Sequence, residues 1–248
     1  YVAADPALFC CQLAAALDAG DAAPAEWATT LQTAEARAWA ALDRAVTAAP
    51  LFDGGAIART LAALPDGAVV FAGNSMPVRY VDAFDRPTPR QIAVYGNRGA
   101  SGIDGNVSTA LGLAAASGRP VVALLGDITF YHDMNGLLAV GQHALNDVTF
   151  VVTNNDGGGI FRRLPIARHE PPFTDLFLTP HGLTFDHAAA LYGLDYAAVR
   201  DKAALEATLA RSGPAAPRLI EVITDGAADL DHHRAVLAAV AAELQAAV

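Results

Sequence analysis

Two short stretches of this 248-residue chain carry residues whose types and spacing could do chemistry together: Gly126-Asp127-Ile128-Thr129 and Asn154-Asn155-Asp156-Gly157-Gly158-Gly159. Each closes an apolar run, and 25 residues, Thr129 to Thr153, separate the Gly-Asp-Ile from the Asn-Asn. A carboxylate at Asp127, an amide oxygen at Asn155 and a nearby main-chain carbonyl make a set of hard oxygen donors. Mg²⁺ accepts such a set at about 2.1 Å and completes its octahedron with phosphate oxygens and water. Glycines at 157–159 let the main chain approach a ligand closely. A helix expected to begin near Asp133 would add an N-terminus that favours a phosphate. Either stretch alone reads equally well as a helix cap or a flexible loop. At this interval, the pair points to a cation clamped against a diphosphate.

Such a clamp needs two strand ends side by side. From about Phe52 the sequence alternates short apolar runs with helical segments. Strands are expected at Ala68–Ala72, Gln91–Val94, Val121–Leu125, Val148–Thr153 and Arg218–Ile223. Helices are expected near 55–64, 77–84, 105–116, 133–143, 186–192, 201–211 and 228–247. Runs such as Val121–Leu125 are apolar on both faces, as in a parallel sheet covered on each side. The fold class is therefore α/β, a doubly wound and mostly parallel sheet with helices on both faces. Ligands of such sheets bind at the carboxyl ends of the strands. Two further polar loops stand there, Gly73-Asn74-Ser75-Met76-Pro77-Val78-Arg79 and the stretch from Tyr95 to Gly105.

The first 50 residues are Ala-rich and helical in pattern. Asp5-Pro6 reads as N-cap and first helical residue, Leu8, Phe9, Leu13 and Leu17 form a stripe, and Gly20 ends the helix. A second helix is expected from about Pro24 to Ala48. Three other features look weaker. His132 fits a helix-start hydrogen bond better than a catalytic role. Arg162-Arg163 and Arg168-His169-Glu170 flank or lie in a Pro-rich segment, Leu164 to Pro180, that could cover a site on assembly. His232-His233, opening the last helix, reads as surface.

Composition narrows the partners. The 16 cations and 26 acids give a net charge of −10, and Lys202 is the only lysine. Such a surface repels phosphate backbones, so nucleic acid is not an expected partner, and any anion must be held by local groups. Adjacent Cys10 and Cys11 cannot staple distant segments or form a metal knuckle, which fits a reducing, cytoplasmic setting. Uncharged runs are too short for a transmembrane helix. The chain starts at Tyr1 rather than Met, which suggests a piece of a longer protein.

The strings GDITF and TNNDGGGIF resemble the signature of the thiamine diphosphate-dependent enzymes, with Ile128 where Gly-Asp-Gly is usual. GNSMPVR, YGNRGASGIDG, GDITFYHDMNGL and NNDGGGIF, in that order over residues 73–161, are similar to one branch in particular. That branch is the 2-succinyl-5-enolpyruvyl-6-hydroxy-3-cyclohexene-1-carboxylate synthase family of menaquinone biosynthesis. A weaker similarity continues through FDHAAALYGLDY at 185–196. The resemblance implies a cytoplasmic transferase that decarboxylates 2-oxoglutarate and adds the succinyl carbanion to isochorismate, using thiamine diphosphate with Mg²⁺ or Mn²⁺. It implies that residues 1–22 are the tail of a middle domain and 23–248 the diphosphate-binding (PP) domain, without the pyrimidine-binding (PYR) domain.

By resemblance, the metal ligands are Asp127, Asn155 and the carbonyl of Gly157. Gly102, Ile103, Gly126, Asp127, Ile128, Thr129, Asn155, Gly157, Gly158 and Ile160 contact the cofactor, with Ile103 as the bulky residue that bends it. Ser75, Arg79 and Arg98 hold substrate carboxylate, and Ile160, Phe161 and Leu164 line the isochorismate side. No catalytic acid or base is expected here, because the activating Glu belongs to the PYR domain. That domain would come from a partner subunit in a homodimer or homotetramer, leaving this chain inactive alone. Other readings are an acetolactate synthase-like carboligase, a non-catalytic cofactor-binding module, and a haloacid dehalogenase-type phosphatase. The last needs a second Asp where Thr129 stands.

Overall fold

The computed structural model describes residues 4–17, 25–211 and 216–246. Six strands form one sheet: β1 (Val69–Ala72), β2 (Ala93–Tyr95), β3 (Val121–Gly126), β4 (Val148–Asn154), β5 (Asp195–Val199) and β6 (Arg218–Ile223). Their order is β2-β1-β3-β4-β6-β5, with every neighbouring pair parallel. Because successive side chains of a strand point to opposite faces, each central strand serves two cores. Val70, Ala72, Leu124, Val151, Ile220 and Val222 pack on one side of the sheet. Val69, Phe71, Val121, Ala123, Leu125, Phe150, Val152 and Leu219 pack on the other.

The first face is covered by α3 (Asp53–Ala63), α4 (Met76–Phe84), α9 (Lys202–Leu209) and α10 (Gly226–Gln245). Outside α10 lies α2 (Ala25–Ala48), which adds Leu42 to that core. The second face is covered by α5 (Asn106–Ser117), α6 (Asp127–Asp133), α7 (Leu138–Gln142) and α8 (Asp186–Tyr192). The doubly wound α/β expectation is met.

Asp5 caps α1 (Pro6–Ala16) as expected, its side chain accepting from the Leu8 N–H at 2.8 Å. No α1 side chain is buried, so the Leu8-Phe9-Leu13-Leu17 stripe covers nothing among the described residues. The expected helix end at Gly20 and helix start near Pro24 lie outside the described residues.

Several expectations need correction. The helix expected to start near Asp133 starts at Asp127, runs straight out of β3, and reaches α7 through a 3₁₀ turn over Met134–Leu137. His132 therefore sits exposed in the last turn of α6, not at a helix start. Strand β5 has no counterpart in the sequence reading, because Asp195-Tyr196-Ala197-Ala198 is poor in the β-branched residues that signal strands. The last helix begins at Gly226, which carries His233 well inside it. His233 is 7% exposed and packs its ring against Tyr80 at 5.5 Å, so it is a core residue rather than surface. The Pro-rich segment is neither open nor solvated throughout. It folds into short turns that bury Phe173 and Leu178.

Candidate functional site

The chain leaves β1 toward β2 on one side and returns to β3 on the other, so the sheet reverses its order between β1 and β3. In open parallel sheets a crevice opens at that point, beyond the carboxyl ends of the strands. A cavity of about 130 Å³ lies there. Its walls come from three strand ends: Ser75 to Pro77 after β1, Gly126 to Thr129 after β3, and Thr153 to Phe161 around the end of β4. Ile103 closes one side, and Phe177 and Thr179 close another.

Register fixes the centre of the site. Gly126 pairs with Thr153, so the residues that follow, Asp127 and the Asn-Asn pair, stand side by side. The Asp127 carboxylate is 3% exposed. One of its oxygens accepts the Ile128 N–H at 2.6 Å, and the other accepts the Gly157 N–H at 2.9 Å. Gly157 has φ +129°, and a Cβ there would stand 2.1 Å from the Leu178 carbonyl oxygen, so only glycine fits this turn. The Gly157 carbonyl accepts the Gly159 N–H at 2.9 Å, which leaves its second lone pair free for another partner.

The two asparagines divide the work. Asn154 is 5% exposed, and its Nδ2 donates to Glu221 Oε1 at 2.6 Å and to the Leu183 carbonyl at 2.9 Å. Glu221 is fully buried on β6 and also accepts from the Phe185 N–H and the Tyr196 hydroxyl. Burial and that bond to Glu221 hold the Tyr196 hydroxyl well above its usual range. Asn154 is thus structural. Asn155 instead faces the cavity. Its Nδ2 donates to Asp53 Oδ2 at 2.6 Å, while its Oδ1 is buried with no hydrogen-bond partner among the described residues.

A buried oxygen without a donor is costly unless something supplies a positive charge or a proton. Asn155 shares one cavity wall with Asp127 and the Gly157 turn. Carboxylate, amide and main-chain oxygens are the donors that hard divalent cations select. The residues present therefore fit such an ion.

Two neighbours, His181 and Asp53, went unnoticed in the sequence. His181 Nδ1 accepts the Leu183 N–H at 2.9 Å, which fixes the proton on Nε2 and aims it at Asp127 Oδ2, 3.2 Å away. The hydrogen bond to Asp127 raises the His181 pKa above its ordinary value, against partial burial. Asp156 accepts the N–H groups of Gly182 and His181, which hold its carboxyl below the usual range and tie the loop in place. Asp53, 2% exposed at the first position of α3, touches Asn155, Thr224 and, through its N–H, Asp229. Burial and the Asp229 carboxylate push its own carboxyl well above the carboxylate range. Its partners lie 102 and 171 residues away, so no local pattern could have signalled it.

Of the residues singled out from sequence, Ser75, Ile103, Gly126, Asp127, Ile128, Thr129, Asn155, Gly157, Gly158, Ile160 and Phe161 line this one cavity. Arg79 and Leu164 line an adjoining hollow of about 370 Å³, which shares Met76 and Ile160 with it. The Arg79 guanidinium donates to the Ser75 carbonyl. Arg98 and Gly102 line neither space. Arg98 is exposed and donates to Asn74 Oδ1 at 2.8 Å. Fully buried Asn74 also donates to the carbonyls of Asn97 and Gly102, so it organises the loop that carries Arg98 and Ile103.

Fold and cavity together define a ligand-binding doubly wound α/β domain with its pocket at the reversal of the sheet. The family described as "Thiamine pyrophosphate enzyme, C-terminal TPP binding domain" matches residues 74–222, and the chain belongs to that family. Two relatives named 2-succinyl-5-enolpyruvyl-6-hydroxy-3-cyclohexene-1-carboxylate synthase come from Roseiflexus. That of Roseiflexus castenholzii is 50% identical over 96% of this chain, and that of Roseiflexus sp. RS-1 is 52% identical over 85%. The same name is carried by a Halobacterium salinarum relative, 48% identical over 92% of the chain. The chain spans only 41%, 36% and 38% of these three proteins. Among solved structures, benzoylformate decarboxylase from Polynucleobacter necessarius superposes with a TM-score of 0.59 at 23% identity. That match covers 73% of this chain and 34% of the decarboxylase, and it supports the fold.

Proposed function

We propose that this chain is the diphosphate-binding part of a thiamine diphosphate-dependent synthase that decarboxylates 2-oxoglutarate and adds the resulting succinyl unit to isochorismate. The observation that carries the reading is the unpartnered buried oxygen of Asn155, a residue that lines one cavity with Asp127, in a chain half-identical to relatives bearing that synthase's name. Mg²⁺ or Mn²⁺ would be held by Asp127, Asn155 and the Gly157 carbonyl. When bound, thiamine diphosphate supplies the electron sink for loss of CO₂ from a 2-oxo acid.

Each remaining role belongs to the protein's own side chains. Gly126 to Thr129, where β3 passes into α6, line the wall where a diphosphate would lie. Ile103 offers an apolar surface for the cofactor to bend over, with Gly102 beside it. Ser75 and Arg79 are the donors for substrate carboxylate, and Arg forks suit that group. Ile160, Phe161 and Leu164 keep water from the carbon–carbon bond-forming side. Arg98 joins the carboxylate set only if its bond to Asn74 is exchanged. Among the described residues, Asp53 and Asp127 are the only carboxylates lining the cavity. Their oxygens are engaged by Asn155, Thr224, Ile128, Gly157 and His181. By the family resemblance, the activating Glu belongs to a PYR domain supplied by a partner subunit of a homodimer or homotetramer. Residues 23–248 form the PP domain and 1–22 the tail of a middle domain. No helix among the described residues is long and apolar enough to cross a membrane, and exposed, unpaired Cys10 and Cys11 fit a reducing cytoplasm.

The test uses the full-length protein that carries this segment, with thiamine diphosphate and Mg²⁺. CO₂ release from 2-oxoglutarate with consumption of isochorismate is expected. Faster turnover of pyruvate than of 2-oxoglutarate would move the chain to the acetolactate synthase-like branch.

A further inference from the structure

An asparagine ligand has a difficulty that an aspartate ligand does not. The two ends of its amide have nearly the same shape, and only one of them can face a cation. At Asn155 the choice is made outside the cavity. Its Nδ2 donates to Asp53 Oδ2 at 2.6 Å, and Oδ1, the opposite end, is the buried oxygen that has no donor. Turning the amide over would set two oxygens against each other at that distance and would lose the bond that Nδ2 donates.

Asp53 is itself held at two further points. Its Oδ1 accepts from the Thr224 hydroxyl at 2.7 Å, and its N–H donates to Asp229 Oδ1 at 2.7 Å. Asp229 is anchored in turn by the Tyr80 hydroxyl at 3.1 Å. Behind Asn155 the chain is equally fixed, because a Cβ at Gly226 would stand 2.3 Å from the Asn155 carbonyl oxygen. The acceptor that reads the amide is thus built from α3, α4, α10 and the segment after β6, none of which carries a predicted metal ligand.

We infer that Asp53 is a positioning residue: it sets the Asn155 amide so that its oxygen, not its NH₂, faces the cation. The inference rests on the metal–diphosphate reading above. It also explains why position 155 holds Asn. A carboxylate there has no N–H to donate, so the 2.6 Å bond by which Asp53 aims the side chain would be lost.

The experiment uses the full-length protein with thiamine diphosphate, and Mn²⁺ as the probe, read as free ion by electron paramagnetic resonance. Asp53→Leu should raise the half-saturating Mn²⁺ concentration by about 10- to 100-fold, the usual effect of losing an outer-shell partner. Asp53→Asn should stay within about threefold of wild type, because an Asn can still offer an oxygen to Asn155 and its NH₂ to the Thr224 hydroxyl. Asn155→Asp should bind weakly alone. The exchange Asp53→Asn with Asn155→Asp should recover affinity, since Asn at 53 can donate to the new carboxylate. Should Asp53→Leu fail to fold, Asp53→Asn and the exchange carry the test. Unchanged Mn²⁺ affinity in a folded Asp53→Leu, or an exchange no tighter than Asn155→Asp alone, overturns the inference. Wild-type protein that takes up no Mn²⁺ with the cofactor overturns instead the reading beneath it.

Discussion

Asp127 and Arg79 both sit at strand ends, yet they should fail differently when removed. Asp127 is 3% exposed and lines the same cavity as Asn155. Asp127→Ala should abolish metal-dependent cofactor affinity in the full-length protein, as measured by titration with thiamine diphosphate and Mg²⁺. Arg79 lines the neighbouring hollow instead. Arg79→Ala should raise the KM for 2-oxoglutarate at least about tenfold, as loss of a charged hydrogen bond does, and leave cofactor affinity alone. Equal loss of cofactor affinity in both variants would contradict these roles. The residues legible in the sequence were those inside a strand-end string, such as Asp127, Asn155 and Ile103. What stayed hidden was what those residues lean on. Asp53, Glu221 and His181 reach the site across 102, 67 and 54 residues of sequence, and such distances leave no spacing to read.

At the scale of elements, apolar periodicity located four of the six strands within about one residue, because central strands are buried on both faces. It failed where that pressure lapses. Edge strand β5 is Ala-rich and partly exposed, and β2 is three residues long. His233 was misread although a signal existed: Leu230, His233, Val236 and Val240 follow the 3.6-residue stripe that α10 turns to the core. Burial, with Arg163 nearby, lowers the His233 pKa to about 4. Its folded-state value lies below the unfolded one, so the unfolded chain takes up the proton first and stability falls as pH drops from about 6.5 to 4. His233→Gln should remove this loss. Chemical denaturation of both proteins across that window should show wild type losing on the order of 2 kcal/mol relative to the variant. Parallel profiles would show that the ring is not buried neutral. A second element-level forecast concerns the crossing of the Gly157 turn with the segment at Leu178. Gly157→Ala needs the chains to part at a 2.1 Å contact, which should cost about 2 kcal/mol or more and weaken cofactor binding with it. A variant that melts and binds like wild type would mean the turn opens easily.

At the scale of the molecule, what matters is which groups the cavity has and which it lacks. It is lined by the oxygen-bearing side chains of Asp127 and Asn155, by glycines, and by apolar residues such as Ile103 and Phe161. Among the described residues, the two carboxylates on its wall both accept N–H or hydroxyl donors. Proton transfer in catalysis needs a group within hydrogen-bond reach of the reacting atom and free to change its charge. On the proposed reading, binding determinants and the activating group therefore lie on different parts of the protein. On that reading, mixing this chain with the PYR domain of the synthase should restore CO₂ release from 2-oxoglutarate. The chain alone should show cofactor-dependent stabilisation in a thermal melt and no turnover. The two readouts separate the possibilities, since stabilisation tests the cavity and turnover tests the missing group. Turnover by the chain alone would mean that Asp53 or Asp127 releases its partners and serves as the base, contrary to the division of labour argued from their hydrogen bonds.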